Sequence, residues 1–490
     1  MKSEPWIVIA VAGLLLAGCG KKFEAPPHPL SIKTPDEWTG GKTATGVSDA
    51  RWWNYLADDG LDGAIVGALE RNYDLQVAAA RVEAAQAEAR IAGADLHPSF
   101  ALNLNRGRQR QNFVGFPIPG NEGRVLSTTY SNAGVNLALS WEPDFWGRIK
   151  SGEVAALGTV GAREADVAAS RLSLSGQVAK AWFAAIEARR QLQLARATLD
   201  SYETSAGRVR ERFERGLRPS LDLRLGLTEV DRARALVEQQ EARLDAAIRQ
   251  IEILLGQYPA GEYALAEDLP RMPAHAPAGL PSELVHRRPD LIVVERELLV
   301  SDARVAQSRA NLRPRFTLTS AAGTASNQLR DLVDGDLLVW NLIGGLIQPI
   351  YNRGRLKAGV ARDEAMVTEA MARYEGSLLR AYGEVEIALA AEDILARREV
   401  ALESATRQSL AARDLAEDRY RRGLADIITV LSSQRTALDS ESQLLALRRQ
   451  RLDNRVDLHL ALGGGFEAAA PVPPSGLQQR PAADGPREGL

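Results

Sequence analysis

Cysteine is nearly absent from this 490-residue chain, and histidine almost so. Cys19 is the sole cysteine, so no disulfide forms within one chain and stability has to come from packing and assembly. The five histidines stand at 28, 97, 275, 286 and 459, and none lies at metal-ligand spacing from another. No Gly-rich phosphate loop, serine-centred nucleophile elbow or paired-cysteine site occurs. His286, in His286-Arg287-Arg288-Pro289-Asp290, reads as part of a turn before a helix. No catalytic residue, metal or cofactor is therefore expected. Sixty Lys and Arg against 63 Asp and Glu leave a net charge of −3, with no basic excess for nucleic acid. No apolar segment after Cys19 is long enough for a spanning helix. If the chain crosses a membrane, strands in a closed barrel have to do it, because only helices and closed barrels satisfy every backbone polar group in lipid.

Proline is also missing where it matters. None occurs between Pro143 and Pro219, or between Pro349 and Pro471. A helix interior rejects proline by about 3 kcal/mol, whereas loops do not. Ala, Leu, Glu, Gln and Arg dominate from Arg148 to Phe213 and from Arg355 to Tyr420. Apolar residues at 360, 367, 371, 374, 378, 385 and 389 step by threes, fours and sevens, the coiled-coil period. At 1.5 Å per residue each run makes a helix of roughly 100 Å, longer than any single globular core. Glycines at 152, 158, 161 and 176 predict close helix contact or local bending, not a break. Gly216 and Gly423 punctuate the far ends, where a positive φ lets the chain turn back.

The chain is written twice. Asp74-Leu75 and Asp290-Leu291 open matching runs that end in Pro98 and Pro314, an offset of 216. Gly147-Arg148-Ile149-Lys150 matches Gly354-Arg355-Leu356-Lys357, and Arg212-Phe213-Glu214-Arg215-Gly216-Leu217 matches Arg419-Tyr420-Arg421-Arg422-Gly423-Leu424, both at 207. The first half thus carries nine extra residues between Pro98 and Gly147. Each half reads as helix, strand, loop, strand, very long helix, turn and second helix.

Between the helices the period changes to two. Phe100, Leu102 and Leu104 alternate with Ala101, Asn103 and Asn105, and Val135, Leu137, Leu139 and Trp141 with Asn136, Ala138 and Ser140. Phe316 and Leu318 alternate with polar neighbours, and Trp340, Leu342 and Leu346 share a face. Alternating strands of about ten residues suit a membrane barrel, which uses at least about eight. Four strands per chain cannot close, so several chains must share one barrel. Two chains or three are both open on this ground alone.

Leu16-Ala17-Gly18-Cys19 follows an apolar stretch from Trp6 to Leu16. It resembles the lipobox of bacterial lipoproteins, which implies cleavage before Cys19 and acylation of its thiol and amine. Two or more chains anchor firmly, since each buried methylene contributes about 0.8 kcal/mol. Gly20, where Asp would signal inner-membrane retention, favours the outer membrane. Over roughly residues 50 to 463 the chain resembles the outer-membrane factor family of tripartite efflux systems, of the TolC and OprM type, and its NodT-labelled lipoprotein branch most. The motifs are Arg287-Arg288-Pro289-Asp290-Leu291 with Ala303-Arg304-Val305-Ala306-Gln307-Ser308, Trp141-Glu142-Pro143-Asp144-Phe145-Trp146-Gly147-Arg148, and Arg422-Gly423 before Val430-Leu431. The resemblance implies a mixed, mainly α fold: a long periplasmic α-helical barrel continuous with an outer-membrane β-barrel, twelve strands in a homotrimer. It implies docking on a periplasmic adaptor and an inner-membrane pump of RND type, with outer-membrane lipid around it. The protein would be a duct with no cofactor beyond covalent lipid on Cys19. Its tunnel would close at the periplasmic tip. There Tyr420 fits the family's tyrosine and Gly423 its turn glycine, while the acidic positions of the family fall on Thr429 and Ser432. Asp426, or Asp222 in the first repeat, is the candidate substitute.

The expected divisions are a signal peptide at 1–18 and a lipid-anchored strap at 19–50. The first repeat spans 51–256, a linker round the tunnel's middle 257–282, the second repeat 283–463 and a disordered tail 464–490. A duct for type I protein secretion uses the same fold. A periplasmic coiled-coil adaptor is the alternative of another class, but it would carry one hairpin, not two with strand pairs.

Overall fold

The computed structural model describes residues 23–40, 51–113, 125–272, 281 and 287–464. Cys19, the signal segment 1–18, His286 and all of the tail after Gly464 lie outside them. Seven α-helices and four strands organise the described residues. The first half holds α1 (Asp59–Arg71), α2 (Tyr73–Ala94), β1 (Ser99–Phe113), β2 (Leu126–Trp141), α3 (Arg148–Glu214) and α4 (Ser220–Leu254). The second holds α5 (Pro289–Ala310), β3 (Arg315–Ser326), β4 (Leu338–Ile347), α6 (Arg355–Arg421) and α7 (Ile427–Ala461).

Each long helix, α3 and α6, has 67 residues, and each return helix, α4 and α7, has 35. The bounds of each pair repeat at an offset of 207. The punctuation repeats as well: Gly147, Gly216 and Gly256 take positive φ, as do Gly354, Gly423 and Gly463. The helix ends are Schellman turns. At the first tip Leu217 N donates to Arg212 O (2.8 Å) and Gly216 N to Phe213 O (2.8 Å). At the second, Leu424 N donates to Arg419 O (2.8 Å) and Gly423 N to Tyr420 O (3.0 Å).

Close approach explains the glycines inside α3. A Cβ at Gly158 would stand 2.8 Å from Val300 and one at Gly152 2.7 Å from Gln307, both on α5. A Cβ at Gly176 would meet Leu460 of α7 at 2.5 Å. The helix itself runs unbroken. Burial is densest midway, where Trp182, Phe183 and Ile186 of α3 meet Trp52, Leu61 and Ile65. A second cluster joins Leu378, Val385 and Leu389 of α6 to Leu458 of α7 and Leu291 of α5.

The two repeats close on this waist in the same way with different chemistry. Asn72 Nδ2 donates to Leu254 O (3.0 Å) while its Oδ1 caps α2 at Asp74 N (2.9 Å). At the equivalent place Arg288 donates to Ala461 O (3.2 Å), to Glu384 Oε2 (2.7 Å) and to Asp290 Oδ2 (2.7 Å). The Arg-Pro-Asp motif is thus a clamp that locks the start of α5 onto α6 and α7. Residues 257–272 form neither helix nor strand and lie across the waist, with Tyr263 edge-on to Trp182 at 6.1 Å. Residues 23–40, also without helix or strand, run along α6 and α5. Ser31 N donates to Glu375 Oε1 (2.7 Å), Thr39 N donates to Glu386 Oε1 (2.9 Å), and His28 pairs with Asp302 (2.9 Å).

The strands form one antiparallel sheet in the order β1-β2-β3-β4, with β1 and β4 as its edges. Register places Phe100, Leu102 and Leu104 opposite Leu139, Leu137 and Val135. Those three stand opposite Ser320, Ala322 and Thr324, which in turn face Leu342, Trp340 and Leu338. One face is therefore an apolar belt, and it is bare: Leu102 and Trp340 are each 74% exposed. The other face carries Asn103 and Asn136, joined by a 3.1 Å hydrogen bond. Gly323 is obligatory on that face, since a Cβ would lie 2.0 Å from Val135 O. β1 and β2 reach 15 and 16 residues, beyond the expected ten, because polar residues continue the pairing past the belt. The nine extra residues of the first half lie in this longer hairpin. Among the described residues no helix is long and apolar enough to cross a membrane.

Candidate functional site

The tips of the two helical hairpins come together far from the sheet. Val209 of α3, Ala416 and Tyr420 of α6, and Ile427 and Val430 of α7 make a small separate core there. Tyr420 is 3% exposed. Its ring is held by two arginines of the other hairpin: the Arg212 guanidinium lies 4.8 Å from the centroid and that of Arg218 5.5 Å. Arg212 also donates to the carbonyls of Tyr420 (3.2 Å) and Arg421 (3.1 Å), the C-terminal end of α6, where a cation is favoured by the helix dipole. The Tyr420 hydroxyl is buried and finds no hydrogen-bond partner among the described residues. Within one chain the ring, not the hydroxyl, is what the neighbouring hairpin grips.

Asp426 is the N-cap of α7. Its Oδ1 accepts from Thr429 N and from Thr429 Oγ1, both at 2.7 Å. These bonds, aided by Arg218 nearby, hold its carboxyl below the usual Asp range, so it stays ionised. Thr429 and Ser432 sit with it on the exposed side of α7, and Ser432 Oγ donates back to Thr429 O at 3.1 Å. The stripe continues with Thr436 and Ser440, whose hydroxyls donate to Ser432 O (2.9 Å) and Thr436 O (2.8 Å). Asp222 takes a different position. It is largely covered, 4.0 Å from Arg218, on the first hairpin. Tyr420, Asp426, Thr429, Ser432 and Asp222 thus share one tip. Only Asp426 among the two candidate carboxylates presents its charge outward.

Sequence reasoning missed Arg212, Arg218 and a polar tie above them. Gln434 of α7 is 4% exposed and donates to Glu417 Oε1 (2.8 Å), Ser201 Oγ (3.1 Å) and Ser205 Oγ (3.2 Å), linking α7 to α6 and α3. Arg212 opens the repeated Arg-Phe-Glu-Arg-Gly-Leu run, which was its only signal. Nearer the waist, Asp453 of α7 is mostly buried beside Arg449, and burial pushes its carboxyl up to about 6. His459 stacks on Trp52 at 5.4 Å, and burial pushes it down to about 3, so it stays neutral. No group of three or more His, Cys, Asp or Glu among the described residues could hold a metal ion.

The chain is similar to known proteins over most of its length. OpmQ, a pyoverdine export outer membrane protein of Pseudomonas putida, is 33% identical over 461 residues, spanning 91% of this chain and 95% of that one. OprJ, an outer membrane protein of Pseudomonas aeruginosa, is 33% identical over 467 residues, spanning 93% and 94%. A membrane protein crystallised from Pseudomonas aeruginosa superposes with a TM-score of 0.79 at 33% identity, covering 91% of this chain and 99% of that one. The open state of the MtrE outer membrane channel of Neisseria gonorrhoeae superposes equally well, TM-score 0.79 at 26% identity, over 92% and 99%. The family model described as outer membrane efflux protein matches residues 64–257 and 280–464, both repeats nearly whole. The chain belongs to the outer membrane efflux protein family and is an efflux channel of the outer membrane.

Proposed function

We propose that the chain is the exit duct of a tripartite efflux pump. Three copies would share one twelve-stranded barrel, and their helices would continue it as a periplasmic tunnel. The carrying observation is the sheet, which has one bare apolar face and two unpaired edges on a pair of roughly 100 Å helices. An open edge in lipid leaves backbone groups unpaired at several kcal/mol each, so β1 of one copy has to meet β4 of the next. Lipid on Cys19 would add an anchor at the start of the strap. The hairpin tips would dock a periplasmic adaptor, and an inner-membrane pump of RND type would supply the energy. The duct itself would catalyse no reaction.

Small molecules are favoured over secreted proteins as cargo, because relatives matched over most of the chain are named for export of pyoverdine and of toluene. Native mass spectrometry in detergent should show three chains. Deleting the gene should raise the accumulation of a fluorescent efflux dye, and the intact gene should restore export. A stable monomer with barrel-like circular dichroism would refute the architecture. Unchanged dye export together with a protein missing from the medium would favour type I secretion.

A further inference from the structure

β1 changes character at a sharp line. Its belt-side residues run Phe100, Leu102, Leu104 and then Arg106, Arg108, Arg110. The pairing with β2 is continuous from Ser99 to Phe113, with no bulge to turn a residue round. All three arginines therefore stand on the same face as the apolar belt, directly past its last row. That row is Leu104, Val135, Thr324 and Leu338. Successive arginines on one face are about 7 Å apart along the strand. Their cross-strand neighbours are Ala133, Ser131 and Thr129, so no carboxylate on β2 answers them. All three are exposed. Arg110 Nη2 donates to Ser127 Oγ at 2.8 Å, and no ion pair forms with any of the three among the described residues.

We infer that Arg106, Arg108 and Arg110 form a binding ladder for the phosphates of the outer-leaflet glycolipid. Three like charges in a row on one face sum to a local positive potential that attracts an anion. β1 rises from the helical, periplasmic end, so the ladder lies at the outer side of the belt. The acyl chains of a lipid packed on Phe100, Leu102 and Leu104 bring its phosphates level with Arg106 and Arg108. Guanidinium forks bind phosphate oxygens two at a time, and the arginine stems can lie along the upper belt while their heads stay in the polar layer. The free phosphate of the medium fits less well, because nothing on the face encloses an ion. The inference rests on the outer-membrane reading and adds a specific lipid to it.

Arg106→Gln, Arg108→Gln and Arg110→Gln are made together, and a second protein carries lysine at all three places. Purified protein in mild detergent is mixed with bisphosphorylated lipid A or with its dephosphorylated form, and bound lipid is counted by native mass spectrometry. Wild type should hold phosphorylated lipid A at least tenfold better than the triple glutamine protein. The lysine protein should recover most of that difference, and dephosphorylated lipid should bind all three alike and weakly. Equal binding of phosphorylated lipid to wild type and the glutamine protein would overturn the inference. So would a glutamine protein that falls to monomers with no response to lipid, because the arginines would then be serving the contact between copies. Loss of the outer-membrane reading itself would show differently, as wild-type protein absent from the outer-membrane fraction.

Discussion

Leu139 and Ala138 are neighbours in β2 that face opposite ways, and an arginine at each separates the two faces. Leu139 belongs to the row Phe100, Leu139, Ser320 and Leu342, the third of five once the rows Trp141–Leu318–Gly344 and Phe316–Leu346 nearer the helices are counted. An arginine facing lipid near the bilayer midplane costs about 2–4 kcal/mol, falling to about 0–1 kcal/mol near the interfaces. In the proposed trimer the three copies would be too far apart round the barrel to couple, so the cost would be roughly 6–12 kcal/mol per assembly. That approaches the whole stability of an ordinary domain, about 5–15 kcal/mol. Ala138 lies between Ala101 and Ala321 on the opposite face, where small neighbours leave room and the proposed lumen is wet. Ala138→Arg should cost little. Both proteins are expressed at equal levels, outer membranes are isolated, and assembled barrel is measured by its altered gel mobility without heating. Leu139→Arg should lose most of its assembled protein, and Ala138→Arg should keep most of it. Equal losses, or a greater loss at Ala138, would mean that the assignment of faces is wrong.

Cys19→Ser should abolish acylation and lipoprotein processing while leaving barrel insertion possible, and mass spectrometry of the mature N-terminus reads this directly. Asp426→Asn keeps a good helix cap, since Asn and Asp cap about equally, so it removes charge alone. Single-channel recordings should then show weaker cation preference and less block by multivalent cations. Unchanged selectivity would reduce Asp426 to a cap beside a hydroxyl-lined aperture of Thr429 and Ser432. Tyr420→Ala should loosen the closed tip and raise conductance more than Tyr420→Phe does, because Arg212 and Arg218 hold the ring; equal effects would return the latch to the hydroxyl. Asp453→Asn should stabilise the protein at pH 7 and above. The native carboxyl titrates near 6 and the unfolded one near 4, so the folded state takes up the extra proton between these values and stability falls as pH rises through them. The gain is largest above pH 6 and vanishes below about pH 4. Thermal unfolding in detergent at pH 4 and pH 8 checks it, and a variant less stable at pH 8 would refute it.

The long helices were legible almost to the residue, because their limits are local events. Gly147 and Gly354 precede them, Gly216 and Gly423 follow them, and proline is excluded between. The belt was legible through alternation, and register then joined segments more than 180 residues apart, such as Val135 and Thr324. The upper halves of β1 and β2 were not visible, because Arg106 to Gln111 and Ser127 to Asn132 alternate polar with polar. The tip was half legible. Position alone put Tyr420, Asp426 and Gly423 at the tip, where the structure has them, but it did not point to Arg212 and Arg218. Which arginine reaches across to another hairpin depends on the rotation of two helices about their axes, and no local pattern carries that. The use of Arg288 as a clamp was hidden for the same reason. Its partners Glu384 and Ala461 lie 96 and 173 residues away.

Duplication fixes the backbone of the two halves alike and leaves their tips free to differ. Both hairpins turn through the same Schellman geometry, and their return helices start at equivalent places. The first starts after Pro219, which offers no side-chain cap, and it keeps Asp222 covered beside Arg218. The second starts after Asp426, which caps with one carboxylate oxygen and leaves the residue exposed. The first hairpin thus supplies cations and the second supplies the ring they hold and the outward charge. Arg218, where the second repeat has Ala425, joins the repeated Arg212 in a cross-hairpin grip on Tyr420 made of cation–π contacts and carbonyl bonds. Each cation–π contact is worth about 0.5–1 kcal/mol where solvent reaches it. A grip of that size, repeated in the three copies proposed above, would be one that an adaptor docking on the tips could release.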